Sequence, residues 1–430
     1  MKRTFCKFLL AAIVANSFAA SARADALDNW STNLISVPNP REISGSALLG
    51  VAYGNDRFVA AGRCMPFSDQ GFSEISNDGQ NWSLGAYGDP VLYLFDVAYG
   101  NGVFVAVGYD AYTGNNIHSS TNGINWTSHT TQISHVYRVI YANVPFPGNP
   151  LFVAVGNGLV VYTGGTTNRQ IYTSPDGITW TPRNSGAPVS AVHSIFDVAY
   201  SGSLFVAIDD SNNSYTSSLG TSWIRRANTI SNFVSINYCN DRFIAAASYS
   251  PSLGQYYLDP PYGIRTDDTN LVSFDGLSWS GMVKDVTNMF SRVIYSNGLY
   301  VALSGTSIFT STNATNWVQR NFQVPTNTYL TGLAFGKSNL VVAAYQASTV
   351  YSNVTFVSGT FLAQNLSAAS PPQIKIDGLM GRTYRIDCST NLQSTNWQTL
   401  TTFSLTNSPC IWTDTNATNS QRYYRTVLLQ

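Results

Sequence analysis

The residues best equipped for chemistry crowd into positions 256–268, where Tyr256, Tyr257, Asp259, Tyr262, Arg265, Asp267 and Asp268 share one short segment. Tyrosine rings stack on sugars or apolar groups while offering a hydroxyl, and aspartates accept hydrogen bonds from sugar hydroxyls or backbone amides. Asp209-Asp210 and Arg63 stand at the openings of other irregular segments, so the expectation is a ligand site drawn from several loops. A second set is strictly placed: Asp96, Arg138, Asp197 and Arg292 each precede a Val-Ala-Tyr or Val-Ile-Tyr triplet. Opposite charges at one position of a repeat predict pairing near a common axis, because half-buried ions persist mainly when paired. The sharper alternative is a polar channel floor that touches a ligand.

Catalysis finds less support. Only two of the 23 acidic residues are glutamates, Glu42 and Glu74. Glycoside hydrolysis needs two carboxylates at a set separation, and nothing in the chain marks such a pair. The sequences G-x-S-x-G, H-E-x-x-H and a phosphate-cradling loop are absent. His129 and His135 share one connection and could approach a ligand or metal, with surface histidine as the plain reading. No Cys or His spacing matches a metal site, and no cofactor is implied. The expected activity is therefore binding without catalysis. An extracellular polysaccharide hydrolase or lyase is one alternative, and a structural cell-envelope protein is another.

The elements that position these residues follow from a repeat. An apolar run ending in an aromatic residue returns at Tyr53, Tyr99, Tyr141, Tyr200, Tyr238, Tyr295 and Phe335, each followed by a small turn and a second apolar run. A second phrase alternates with it: Ser, turn residues often reading Asp-Gly or Asn-Gly, then Trp82, Trp126, Trp180, Trp223, Trp279 or Trp317. Self-similarity at this period decides architecture before any single residue does. Each repeat resolves into four short strands, A to D, and near-continuous apolar runs in A and B imply burial on both faces. The Asp-Gly and Asn-Gly pairs predict type I′ hairpins, with looser turns at Leu219-Gly220 and Asn313-Ala314.

The seventh repeat lacks its Trp strand, whereas Trp30 opens the chain's first strand-like run. Docking that run on the last repeat completes a ring and removes an open edge. The expectation is an all-β, seven-bladed propeller over residues 25–357, closed by an N-terminal strand. Its seven Trp residues are structural. Antiparallel order puts every A–B and C–D turn on one face and the long, variable B–C and D–A connections on the other, where binding resides.

The ends of the chain read differently. Residues 1–24 have a basic start, a short apolar core and Ala22-Arg23-Ala24, which fits a signal peptide and a secreted protein: periplasmic, cell-surface or extracellular. Charged residues are only 11% of the chain and the formal net charge is zero, which removes the footprint of a nucleic-acid binder. No further span crosses a membrane, so the expected partner is an extracellular glycan or protein. Residues 358–430 alternate short strands around Tyr384, Trp397, Trp412 and Tyr423, predicting a small β-sandwich. Cys388 and Cys410 lie within it and can pair, while Cys64 and Cys239 belong to distant repeats.

The turn Ser174 to Trp180 resembles the Asp-box, or BNR-type, turns of sialidase-like propellers and of secreted propellers related to photosystem assembly factors, with the Ser-to-Trp interval one residue shorter. That resemblance implies the propeller fold. A sialidase site would need an arginine cluster, a tyrosine nucleophile assisted by a glutamate and an aspartate acid/base; Glu42 and Glu74 are the only glutamate candidates, and the Arg-Ile-Pro signature is missing. The C-terminal segment is similar to fibronectin-III-like modules of exported bacterial proteins, which attach or space a larger domain.

Overall fold

A computed structural model describes residues 10–11, 30–35, 45–65, 70–110, 114–131, 135–145, 149–157, 169–187, 194–210, 213–227, 233–247, 269–281, 289–296, 298–320, 324, 328–337, 339–346, 352–358, 373–376, 383–389, 398–404, 410–414 and 423–429. The chain divides into two units, Ala24–Phe361 and a second made of Met1–Arg23 with Leu362–Gln430.

The larger unit is an all-β propeller. Six four-stranded antiparallel sheets follow one another as simple meanders, with inner strands Gly45–Gly54, Leu94–Gly100, Val136–Ala142, Ile195–Tyr200, Phe233–Cys239 and Arg292–Ser296. We number these sheets 1 to 6. Another four-stranded sheet, sheet 7, is composite: Thr328–Gly336, Asn339–Gln346 and Ser352–Ser358 come from the end of the unit, and Trp30–Ile35 supplies its fourth strand. Trp30 lies opposite Ser358 and Ile35 opposite Asn353, as the split repeat implies. Each inner strand touches the next, and that of sheet 7 touches that of sheet 1.

Alternation explains the doubly apolar strands. In Val103–Gly108, Phe104 and Ala106 pack toward sheet 1, whereas Val105 and Val107 pack toward sheet 3. A strand caught between two neighbours has no wet face, so both sets of side chains are buried. Among the described residues the core is a series of such inter-sheet clusters, including one joining Leu48 and Phe58 of sheet 1 to Val341 and Ala343 of sheet 7.

The turns correct one expectation. Type I′ geometry needs positive φ at both central residues, and it occurs in the A–B turns, at Asn55 and Asp56 and again at Asn101 and Gly102. In the Asp-Gly turns only the glycine has positive φ, as at Gly79 and Gly177. The serine does the work there: Ser76 Oγ accepts from Gly79 N at 2.8 Å, and Asp78 Oδ1 accepts from Gln80 N and Asn81 N at 2.8 and 2.7 Å. A loop bridged by side chains replaces the two-residue hairpin. The turns at Leu219-Gly220 and Asn313-Ala314 are held the same way, by Ser217 Oγ to Gly220 N at 2.8 Å and by Asn313 Oδ1 to Asn316 N at 2.9 Å. Ala314 accepts the left-handed φ of 58° that glycine takes elsewhere.

In the smaller unit, Thr383–Ser389 pairs with Gln398–Ser404 and with Tyr423–Leu429, and Gln373–Ile376 pairs with Cys410–Thr413. Leu10–Ala11 runs alongside Tyr423–Leu429. Cys388 is buried; the Cys410 side chain lies outside the described residues.

Candidate binding site

The charges of the inner strands meet at the axis. Arg138 Nη1 reaches both oxygens of Asp96 at 3.2 and 3.1 Å, and its Nε lies 3.0 Å from Asp197 Oδ1. Arg292 Nη1 stands farther off, 3.9 Å from Asp197 Oδ2. The two carboxylates also hold backbone: Asp96 accepts from Val139 N at 3.1 Å, and Asp197 accepts from Ile236 N at 2.9 Å. Each aspartate thereby ties its own inner strand to the next one. Burial opposes the Arg138 charge, but Asp96 and Asp197 outweigh it and hold the guanidinium above its usual range. For Arg292 burial and the neighbouring Arg138 prevail, and its pKa falls.

Local folding delivers these residues to the axis. The inner-strand register slips one residue before each of Gly50, Asp96, Arg138, Asp197 and Gly332, a bulge that re-aims the following side chain. A cavity of about 230 Å³ lies there, lined by Asp96, Arg138, Asn237 and Arg292 with Gly50 and Gly332.

The bulged positions themselves carry a feature that the sequence reading passed over. In sheets 2, 3 and 4 they are Phe95, Tyr137 and Phe196, and their rings contact one another, 6.2 Å between centroids for the first pair and 5.7 Å for the second. The row continues at the long-loop end of the ring. His135 stands 5.7 Å from Tyr137 and stacks on Tyr109 at 4.2 Å, and Tyr109 stacks on Tyr93 at 5.9 Å. Backbone fixes it, because Tyr109 N donates to Tyr93 O at 2.9 Å and Tyr109 bridges His135 between sheets. Phe95 and Phe196 are buried, whereas Tyr93, Tyr109, His135 and Tyr137 are half-buried. The available signal was an aromatic residue directly before the charged position in three consecutive repeats.

Electrostatics keep this row neutral. Burial draws His135 down to about 4, so its imidazole is uncharged at neutral pH. Asn157 Nδ2 lies 3.0 Å from its Nδ1; with the amide donating, the ring proton sits on Nε2. Burial pushes the Tyr137 phenol up to about 12, despite its hydrogen bond with Ser194. The result is an apolar stacking surface edged with hydroxyls, suited to holding a ring or an aliphatic group.

Other expected site residues fall elsewhere. Asp209 is fully buried, and its carboxylate accepts from Asn213 N at 2.8 Å, Asn213 Nδ2 at 2.8 Å and Tyr215 Oη at 2.7 Å. It holds its own loop and turns no oxygen outward. Asp210 accepts from Ser194 N at 3.2 Å, near Tyr137. Arg63 is buried with its guanidinium 5.7 Å from the Tyr93 ring centroid, a cation–π brace behind the aromatic row. Tyr256, Tyr257, Asp259, Tyr262, Arg265, Asp267 and Asp268 lie outside the described residues.

His129 and His135 are not brought together: His129 Nε2 pairs with Ser119 Oγ at 2.7 Å on the outer strands. Glu74 is buried without a hydrogen-bond partner among the described residues, and burial pushes it up to about 8. A carboxyl sealed in a sheet interface has no access to substrate. The indoles of Trp82, Trp126, Trp180 and Trp223 donate to the carbonyl of the turn glycine three residues before, from 2.7 Å at Trp82 to 3.2 Å at Trp180. Trp279 and Trp317 pack against Phe233 and Phe290; only the backbone of Trp30 is described.

Among solved structures the chain is similar to YCF48 from Cyanidioschyzon merolae, with 14% identity, 76% of this chain and 98% of that chain covered, and a TM-score of 0.49. It is similar to YCF48 bound to D1 peptide, with 13% identity, coverages of 81% and 98%, and a TM-score of 0.51. The Pan2 WD40 domain of Neurospora crassa is similar at 7% identity, with coverages of 78% and 97% and a TM-score of 0.50. Identities this low speak to fold alone: an all-β propeller. No family model and no curated protein matches the chain.

Proposed function

We propose that this chain is a secreted, non-catalytic propeller that binds an extracellular glycan or protein through its long-loop end. The observation that carries the reading is the neutral, half-buried row Tyr93–Tyr109–His135–Tyr137, with ring centroids 4.2 to 5.9 Å apart, fixed by the Tyr109–Tyr93 backbone bond and by the bridge from Tyr109 to His135 of the next sheet. A rigid aromatic surface of this kind binds without losing side-chain entropy. A similar fold holds a D1 peptide, which supports a protein segment as one ligand class; hydroxyl-edged rings equally suit a sugar. In this reading the composite sheet is the seventh blade, the Ser-x-Asp-Gly turns are shortened Asp-box turns, and the C-terminal unit is a sandwich that attaches or spaces the ring.

The test is a glycan array and a peptide array probed with the chain lacking residues 1–24. A ligand retained on either array should lose at least tenfold in affinity with Tyr109→Ala, while a turn variant such as Asp78→Asn binds normally. Equal binding by wild type and Tyr109→Ala would overturn the reading.

A further inference from the structure

The axial charge cluster leaves its donors in excess. Asp96 gives both oxygens to Arg138 and one also to Val139 N. Asp197 Oδ1 lies 3.0 Å from Arg138 Nε and accepts from Val198 N, and Oδ2 accepts from Ile236 N. Arg292, at 3.9 Å, stands beyond hydrogen-bonding distance of that last oxygen. Its Nη1 donates to Ser291 O at 3.0 Å, so its charge meets a carboxylate only at the longer range of Asp197. On the far side, sheets 7 and 1 place Gly332 and Gly50 at this level, so no carboxylate approaches from there.

A second group in the same cavity has the same need. Asn237 is only 7% exposed and lines the cavity with Arg292, and its Nδ2 has no acceptor. A buried amide donor without a partner costs about 1–3 kcal/mol. Two donors, one of them cationic, thus face one void. A second cavity of about 400 Å³ shares Arg138, Tyr141 and Asn237 with the first and runs to Tyr200 and Gly202 at the short-turn end, giving a route from solvent.

We propose that the channel is a binding site for a small monovalent anion, a halide or a formate-like carboxylate, held between the Arg292 guanidinium and the Asn237 amide. The site is separate from the aromatic row and stands or falls without it. The anion supplies the acceptor that Asn237 Nδ2 lacks and a closer negative partner for Arg292 than Asp197 at 3.9 Å.

Bromide is the probe. Crystals of the chain lacking residues 1–24, soaked in sodium bromide, should show anomalous density within 3.5 Å of both Arg292 and Asn237. In solution, replacing gluconate by bromide at constant ionic strength should raise Tm by roughly 2 °C once the site fills. Arg292→Gln should abolish both signals, and Asn237→Ala should weaken the bromide midpoint about tenfold, as for a lost bond to a charged group. Should Arg292→Gln fail to fold, the Asn237→Ala midpoint decides alone. Absence of cavity density in the wild type, or a bromide response unchanged in Asn237→Ala, would overturn the proposal.

Discussion

At the short-turn end of the propeller, successive sheets contribute the same parts; at the long-loop end the parts differ, with a linked row of rings from sheets 2 to 4 and, among the described residues, a separate Tyr329–Tyr345 pair from sheet 7. The short-turn end is tied by repetition. The Tyr99 ring lies where a Cβ on Gly54 would be, Tyr141 does so at Gly100, and Tyr53 does so at Gly336. Side chains of one A–B turn bond the C–D turn of the next sheet, as in Arg57 Nη1 to Asn122 O at 2.9 Å and Asn339 Nδ2 to Asp78 O at 2.8 Å. At the other end, the bulged position reads Phe95, Tyr137 and Phe196 in sheets 2 to 4, but Leu49, Val234 and Thr331 in sheets 1, 5 and 7. Repetition marks what every inter-sheet contact requires. Asymmetry marks what the ring is not obliged to have.

The belt of charge between the two ends tests that division most severely. Arg138→Ala would leave Asp96 without its cation and Asp197 with only Arg292 at 3.9 Å, and removing one partner of such a buried pair destabilises by about 3–5 kcal/mol. Denaturant unfolding should show a loss of that size. A loss under about 1 kcal/mol, as for a surface pair, would make the belt a ligand site rather than part of the frame.

Next in size is the ring-on-glycine contact. A Cβ on Gly100 would stand 2.0 Å from the Tyr141 ring, whereas one on Gly102, two residues later, would meet nothing within 4 Å. Gly100→Ala should cost about 3 kcal/mol through forced repacking. Gly102→Ala should cost only about 1 kcal/mol, the penalty of its positive φ. Equal losses, measured by thermal unfolding, would mean that the tyrosine belt yields easily and is not what closes this end.

The aromatic row should invert the pattern. Tyr109→Ala removes one stacking partner and should cost about 1 kcal/mol of stability, with the larger effect in ligand affinity. A loss above about 3 kcal/mol without any effect on ligand would place the row with the frame.

Much of this was legible in the chain before folding. The apolar runs, the Trp positions and the orphan Trp30 strand imply sheets in a ring, and the charges before Val-Ala-Tyr imply an axial cluster, because each follows from a repeat period and a common axis. What escaped depends on local geometry. Asp209 looked like a loop acid, yet Tyr215 and Asn213 fold back onto it from the next strand. The Asp-Gly pairs looked like I′ hairpins, yet Ser76 and its equivalents substitute side-chain bonds for that turn. The rings of Phe95, Tyr137 and Phe196 were hidden because a one-residue bulge, invisible to strand periodicity, sets which way they face.

The smallest effect is expected inside the repeated end itself. Asp78 and Asn122 occupy the same turn position, and each accepts two backbone amides through Oδ1, at 2.8 and 2.7 Å for Asp78 and 2.9 Å twice for Asn122. Asp78→Asn therefore keeps those bonds and loses only the contact of Oδ2 with Asn81 Nδ2. At neutral pH it should change stability by under about 0.5 kcal/mol. Acid should separate the two proteins. Burial alone would raise the Asp78 carboxyl, but bonds from Asn81, Gln80 and Ser76 outweigh it and lower the folded value from 3.8 to about 2. A depressed carboxylate contributes stability that is full above its unfolded value and disappears as pH falls through its folded value. Between pH 5 and 2, then, the wild type should lose stability relative to Asp78→Asn, and the difference should be flat above pH 5. A difference that stays flat down to pH 2 would show that the turn is held by its amide geometry alone, with the charge idle.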